Sequence, residues 1–177
     1  INKKSFSIKV LEFGAGWGTW SIFAKSLNFD IYVNEFSINR KKFLEKNNLK
    51  IIEDLNSSEE TFDLIYSNQT FEHLNYPRET FNLLYKKLNK NGLIYLKFPD
   101  SFFFKNKIKK NYIPCKDAAH PLEHINLFNI NSFLSIVSDL NMKVLNLDKH
   151  YKFSFKKHLK LIRNLFRFDN ILLKKNN

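Results

Sequence analysis

Residues 10–20 read VLEFGAGWGTW, and this stretch decides the fold. The apolar run that ends at Phe13 predicts a buried strand, and the apolar residues beyond the loop recur at helical spacing. Between strand and helix stand three alternating glycines, Gly14, Gly16 and Gly18. Because glycine has no Cβ, such a loop adopts positive φ and lets a ligand approach the backbone, beside the free N–H groups of a helix start. The stretch therefore predicts a strand, loop and helix that bind a nucleotide cofactor.

Strand and helix patterns alternate along the rest of the chain. The predicted strands after the first are 31–34, 50–52, 62–66, 93–98 and 143–147, with a seventh around 151–155. The predicted helices are 21–27, 37–47, 77–88 and 133–140. Asn91 and Gly92 form a turn before the fifth strand. Such alternation implies an α/β fold with helices on both faces of a parallel sheet.

The composition suits a single folded core without disulfides. The chain has 177 residues, of which 44% are hydrophobic, and a domain of this size buries a continuous core. Cys115 is the only cysteine, so neither an intrachain disulfide nor a cysteine-based zinc cluster can form. No apolar run approaches the ~20 residues that a membrane-spanning helix needs. A cytoplasmic location is therefore expected.

The net charge of +12 is concentrated at the end of the chain. Residues 149–177 hold nine Lys or Arg against Asp169 alone, and therefore eight of the twelve net charges. From residue 156 onward, apolar and basic side chains fall on separate faces at helical spacing. We predict a domain at 1–155 and a basic amphipathic tail at 156–177. Its apolar face either packs on the domain or binds an anionic membrane surface, which would make the protein peripheral at the membrane.

Acidic and polar side chains follow the predicted strands at the edge where a cofactor would lie. The dinucleotide pattern G-x-G-x-x-G fails because Thr19 replaces its last glycine, which disfavours NAD. Glu12 can hold a cationic amino group, which favours S-adenosylmethionine. Glu35 ends the second strand, where a carboxylate accepts hydrogen bonds from ribose hydroxyls. Asp54 follows the third strand and can meet the adenine amino group, and Asn68 follows the fourth.

These residues resemble the class I S-adenosylmethionine-dependent methyltransferases, especially the small-molecule type with a single domain. The resemblance covers about 9–148 and includes E-x-G-x-G-x-G at 12–18, FDLIYSNQTFEHL at 62–74 and LNKNGLIYLKFP at 88–99. It implies a Rossmann-like three-layer sandwich with a mostly parallel seven-stranded sheet, an antiparallel last strand, and S-adenosyl-L-methionine as cofactor. The predicted cofactor-binding residues are Glu12, Gly14, Ala15, Gly16, Trp17, Gly18, Glu35, Asp54 and Asn68. The chain departs from the family where Asn91 replaces a glycine and where Trp17 is bulky for its loop.

Methyl transfer from a sulfonium depends mainly on holding donor and acceptor in line, so a dedicated base is optional. If the acceptor is a hydroxyl, a histidine can remove its proton, and the candidates are His73, His120 and His124. The long segment 100–126 suits a substrate-facing lid. Within it, His120, Glu123 and His124 have helical spacing, but Pro121 disrupts a regular helix. No metal site is therefore predicted.

The main hypothesis is an enzyme that methylates a small molecule, sugar or lipid precursor at oxygen or carbon, including a lipid-linked acceptor. Methylation of nucleic-acid amino groups is disfavoured, since Asn-Pro-Pro-aromatic is replaced by Ser-Asn-Gln-Thr at 67–70. The alternative is a non-catalytic basic module that binds nucleic acid or a membrane surface on a degenerate Rossmann-like fold. An NAD-dependent oxidoreductase is less favoured, because Pro114 interrupts the pair Tyr112 and Lys116.

Overall fold

The computed structural model of the chain describes residues 7–99, 101, 104, 113, 118–120, 123–145 and 168–176. The strands are β1 Lys9–Phe13, β2 Asp30–Asn34, β3 Lys50–Ile51, β4 Phe62–Asn68, β5 Leu88–Pro99, β6 Met142–Leu145 and β7 Phe168–Lys175. The helices are α1 Thr19–Ser26, α2 Ile38–Lys46, α3 Pro77–Lys86 and α4 Ile130–Val137. A short 3-10 helix, Phe71–His73, lies between β4 and α3. The predicted alternation of strands and helices is confirmed over these residues.

The strands form one seven-stranded sheet in the order β3-β2-β1-β4-β5-β7-β6. The pairs among the first five strands are parallel. Only β7 runs antiparallel to its neighbours, β5 and β6. The order reverses between β1 and β4, and in open α/β sheets a crevice for ligands opens at the carboxyl ends of strands at such a point. The predicted mostly parallel sheet with an antiparallel last strand is confirmed.

Helices cover both faces of the sheet and make it a three-layer sandwich. Because side chains alternate along a strand, neighbours in β1 reach opposite layers. On one face Val10 packs in a cluster with Ala24 of α1 and Leu44 of α2. On the other face Leu11 belongs to a larger cluster that contains Phe81 of α3 and Phe133 of α4. The strand is thus buried on both faces, as expected for the centre of a parallel sheet.

Two predicted features differ from the structure near β5 and β7. The Asn91-Gly92 turn lies inside β5, where the register with β4 shifts between Phe62 and Leu64 and Asn91 has φ 60°. The strand predicted at 151–155 lies outside the described residues. Phe168–Lys175, predicted to be part of the tail, instead forms β7 between β5 and β6. This correction arises because Ile171 and Leu173 are buried in the large core cluster.

The remainder of the predicted tail, 156–167, also lies outside the described residues, as does most of the predicted lid. Among the residues that are described, no helix combines the length and the apolar character needed to cross a membrane.

Candidate active site

The glycine loop after β1 is held open by backbone hydrogen bonds. The N–H groups of Gly14 and Ala15 both donate to Asn34 O at the end of β2, at 3.0 and 3.1 Å. Gly18 N donates to Ala15 O at 2.8 Å, which closes the turn before α1. All three glycines have positive φ, between 58° and 74°. Since L-residues other than Asn and Asp rarely adopt this conformation, the alternating glycines are required by the backbone.

The space around each glycine differs. A Cβ at Gly14 would meet Thr70 Oγ1 at 2.2 Å, because the loop after β4 packs directly against this position. A Cβ at Gly18 would meet Leu44 Cδ2 of α2 at 2.3 Å. At Gly16 no described atom lies within 4 Å of the added Cβ. Gly14 and Gly18 are therefore needed for packing, whereas Gly16 presents bare backbone to open space.

Glu35 connects the end of β2 to the glycine loop. Its buried carboxylate accepts from Gly16 N at 2.7 Å through one oxygen, and from Phe36 N and Ser37 N at 3.0 and 2.9 Å through the other. Arg40 Nη1 lies 3.8 Å away. Three N–H donors occupy most of the positions that a carboxylate offers. A ribose hydroxyl that binds Glu35 would therefore either share a carboxylate oxygen with one of these N–H groups or displace that group.

Glu12 lies inside the protein, on the face of β1 that packs under α1. Its carboxylate accepts from Ser21 N at 3.2 Å and from Ser21 Oγ at 2.5 Å. Burial raises the pKa of Glu12 to about 7; the Ser21 hydrogen bonds oppose that effect, and the nearby Glu35 adds to it. The side chain thus fixes the start of α1, a contact for which the sequence contains no recognisable signal.

Two other predicted cofactor residues lie at the edge of the site. Asp54 is fully exposed, and its Oδ1 accepts from Asn56 N at 2.9 Å in an Asx turn, which lowers the pKa of Asp54. Trp17 is 55% exposed. Its ring packs edge-on against Phe43 of α2, at 5.4 Å between centroids. The Trp17 ring therefore packs against α2.

The carboxyl end of β4 carries buried polar atoms beside the glycine loop. Ser67 Oγ donates to Phe13 O at 2.9 Å and joins the two strand ends. Within the described part of the chain, Asn68 Oδ1 and Gln69 Nε2 are buried without a hydrogen-bond partner. Buried polar atoms rarely remain unpaired in a native protein. The two atoms therefore fit a polar ligand that supplies a donor and an acceptor at this edge.

All three predicted histidines come together next to this edge. The rings of His73 and His124 meet edge to face with centroids 4.9 Å apart, and the rings of His120 and His124 are 5.6 Å apart. His120 Nδ1 lies 3.1 Å from Glu123 Oε2. The spacing of His120 and His124 already indicates that they are near each other, but the distance along the chain to His73 conceals that it joins them.

Glu72 is a site residue that sequence reasoning missed. It precedes His73 in the short 3-10 helix and is only 1% exposed. Its backbone O accepts from Ile125 N and Asn126 N, which fastens the segment carrying His124 against the end of β4. Burial raises the pKa of the Glu72 carboxyl. An acid followed by a histidine a few residues after a strand end is the one available signal, and it is weak.

A family model described as a methyltransferase domain matches residues 3–147. The chain belongs to this family. The match spans β1 to β6 of the methyltransferase and includes the glycine loop, Glu35 and the histidine cluster. No curated protein matches its sequence.

Solved structures similar to the methyltransferase share its fold at low identity. A S-adenosylmethionine dependent methyltransferase from Mesorhizobium loti has 12% identity over 96% of this chain and 91% of that chain, with a TM-score of 0.70. The plantazolicin methyltransferase BpumL, in complex with a pentazolic desmethylPZN analog and SAH, has 14% identity over 96% and 77%, with a TM-score of 0.69. The 4+2 cyclase SpnF has 10% identity over 96% and 76%, with a TM-score of 0.67. Because the last of these is a cyclase, the fold alone does not determine the reaction.

Proposed function

We propose that the protein transfers a methyl group from S-adenosylmethionine to an oxygen or carbon of a small molecule, sugar or lipid precursor. The observation that carries this proposal is Gly16, whose backbone faces open space at the carboxyl edge beside Glu35. The unpaired atoms of Asn68 and Gln69 support it, because the amino acid part of the cofactor has both a donor and an acceptor to offer.

Each part of the cofactor has a proposed set of residues. The loop of Gly14, Gly16 and Gly18 would hold the methionine part, Glu35 the ribose and Asp54 the adenine. When bound, the cofactor supplies the methyl group as a sulfonium. The chain itself orients the acceptor and excludes water, and for a hydroxyl acceptor an imidazole of the cluster can accept its proton.

The class of acceptor is proposed from one similar structure and from the sequence at 67–70. The plantazolicin methyltransferase BpumL, which has a similar fold, is in complex with a pentazolic desmethylPZN analog and SAH. A small acceptor is therefore proposed here, and a nucleic-acid acceptor is disfavoured by the sequence at 67–70. The lipid-linked acceptor and the membrane-bound tail stay predictions, since 156–167 lie outside the described residues.

The proposal is tested by calorimetric titration with S-adenosylhomocysteine and, separately, with NAD. We expect the wild type to bind S-adenosylhomocysteine alone. Glu35→Gln should bind at least about tenfold more weakly, because charge-assisted hydrogen bonds contribute roughly 1.5–3 kcal/mol. Glu53→Gln is the matched control, since Glu53 is a neighbouring exposed acid that pairs with Lys41. Binding of neither ligand would contradict the proposal, and binding of NAD alone would favour the oxidoreductase.

A further inference from the structure

Three side chains next to the carboxyl edge are arranged as metal ligands. Glu72, His73 and His124 each offer one ligand atom, and these atoms lie within 4.8 Å of one another. His73 Nε2 lies 4.0 Å from Glu72 Oε1. The hydrogen bonds from Ile125 N and Asn126 N to Glu72 O hold the two parts of the group together.

Among the described residues, the carboxylate of Glu72 has no hydrogen-bond partner. It is 1% exposed, and no donor among the described residues reaches either of its oxygens. Burying such a carboxylate is strongly unfavourable unless it is paired, hydrogen-bonded or bound to a metal. Glu72 is not among the residues proposed to bind the cofactor, so cofactor binding does not explain its buried carboxylate. A cation held between Glu72 and the two imidazoles would supply the missing charge.

In both imidazoles Nδ1 contacts a backbone carbonyl oxygen. His73 Nδ1 lies 2.7 Å from Glu123 O, and His124 Nδ1 lies 3.1 Å from Ala118 O. A carbonyl oxygen only accepts, so Nδ1 carries a proton in each ring, and the neutral form of the ring offers the Nε2 lone pair to a metal. Metal-bound histidines commonly show this arrangement, in which the other ring nitrogen donates to a carbonyl.

We propose that Glu72, His73 and His124 bind one divalent transition-metal ion, with Zn²⁺ as the best fit. Two imidazole nitrogens and one carboxylate oxygen suit Zn²⁺ better than Mg²⁺, which prefers oxygen ligands. Bonds of ~2.0–2.2 Å place ligand atoms about 3.3 Å apart, so small rotations of the side chains close the group around the ion. His120 lies beside the cluster but outside the ligand set.

Three protein ligands leave at least one coordination position open, as in catalytic zinc sites. Thr70, two residues before Glu72, contacts Gly14 in the glycine loop, so the ion would lie near the proposed methyl donor. The role of the ion in catalysis rests on the proposed function, and the acceptor is then a hydroxyl. The hydroxyl loses its proton to the imidazole of His120, which lies outside the ligand set, or to solvent, and its oxygen bonds to the methyl carbon. The carbon–sulfur bond breaks with its electron pair left on sulfur, and the ion favours the deprotonated oxygen.

The test is metal binding by the full chain after removal of metals with a chelator. Calorimetric titration with Zn²⁺ and the visible absorption of bound Co²⁺ both report on the ion directly. We expect the wild type to bind one equivalent of Zn²⁺ and, in a separate titration, one equivalent of Co²⁺. Glu72→Gln and His124→Gln should bind at least about tenfold more weakly, whereas the matched control His120→Gln should bind as the wild type does.

Folding and cofactor binding are measured on the same preparations. Far-ultraviolet circular dichroism and titration with S-adenosylhomocysteine should remain at the wild-type level in Glu72→Gln and His124→Gln. The proposal is wrong if the wild type binds no Zn²⁺, or if His120→Gln weakens binding as much as the ligand variants do. If the wild type binds S-adenosylhomocysteine but not Zn²⁺, the metal-site proposal is wrong and the proposed function stands. If it binds Zn²⁺ but not S-adenosylhomocysteine, the metal-site proposal stands and the proposed function is contradicted.

Discussion

At the scale of single residues, Gly16 separates ligand binding from folding. Gly16→Ala introduces a Cβ into open space at φ 58°, so we expect a loss of about 1–2 kcal/mol in the free energy of unfolding from backbone strain. The free energy of S-adenosylhomocysteine binding should fall by more than this, because the added Cβ would lie where the cofactor approaches. Urea denaturation and calorimetry measure the two effects.

Gly14→Ala is the matched comparison for this prediction. Its Cβ would overlap the Thr70 side chain in addition to the backbone strain, so it should destabilise the protein more than Gly16→Ala does. Wild-type affinity for S-adenosylhomocysteine in Gly16→Ala would show that no ligand approaches this part of the loop.

The raised pKa of Glu12 predicts how the free energy of unfolding depends on pH. Its pKa rises from 4.5 in the unfolded chain to about 7 in the folded protein. Between these values the folded state holds a proton that the unfolded state releases, so the Glu12 contribution to stability falls as pH rises through this window. One pKa unit corresponds to ~1.4 kcal/mol.

Glu12→Gln removes this titration and keeps an acceptor for Ser21. Relative to the wild type, the variant should therefore gain up to about 3 kcal/mol in free energy of unfolding between about pH 5 and about pH 8. Denaturant titrations without ligand at both pH values measure the gain. A difference between variant and wild type that does not change with pH would contradict the assignment.

At the scale of elements, a capping box fixes the start of α4. Asn129 and Ser132 form a capping box, in which the Asn129 side chain accepts from Ser132 N and Ser132 Oγ accepts from Asn129 N, both at 2.9 Å. Asn129→Ala should lower the free energy of unfolding by about 1 kcal/mol, since it leaves helix N–H groups without a partner. Ser135→Ala, at an exposed position of the same helix, should change it by less than about 0.5 kcal/mol. Equal effects of the two variants on urea denaturation would rule out the cap.

At the scale of the whole molecule, β7 completes the sheet from the far end of the chain. Ile171 is buried and pairs with Leu96 of β5, so Ile171→Ala should lower the free energy of unfolding by about 2–5 kcal/mol. Val144→Ala on the edge strand β6, where the side chain is 47% exposed, should lower it by no more than about 1 kcal/mol. A small effect at Ile171, read from denaturant unfolding, would contradict the placement of β7.

The position of β7 also determines how the tail is studied. Deletion of 156–177 would remove the strand between β5 and β6, leaving β6 without a partner strand and β5 paired only with β4. Loss of vesicle binding in that deletion would therefore report unfolding. Charge substitutions at Lys156, Lys160 and Arg163 test the membrane hypothesis without touching the strand.

The sequence by itself determined the features that depend on neighbouring residues. Period and spacing predict β1, α1 and β2, because alternating burial and helical recurrence are local. The alternating glycines at 14–18 predict the positive φ of the loop. The strand pattern at 31–34 predicts that Glu35 lies at the end of β2. Its three hydrogen bonds, and the Asx turn at Asp54, required the structure, because they depend on where neighbouring N–H groups point.

Tertiary structure alone decided which distant segments meet. The chain returns from β6 to insert β7 beside β5, a pairing that depends on the core position of Ile171 and not on any local pattern. The meeting of Glu72 and His73 with His124 likewise depends on backbone bonds between two separate loops. Local spacing carries no information about such contacts, because they arise only when the buried faces of the helices and the sheet come together.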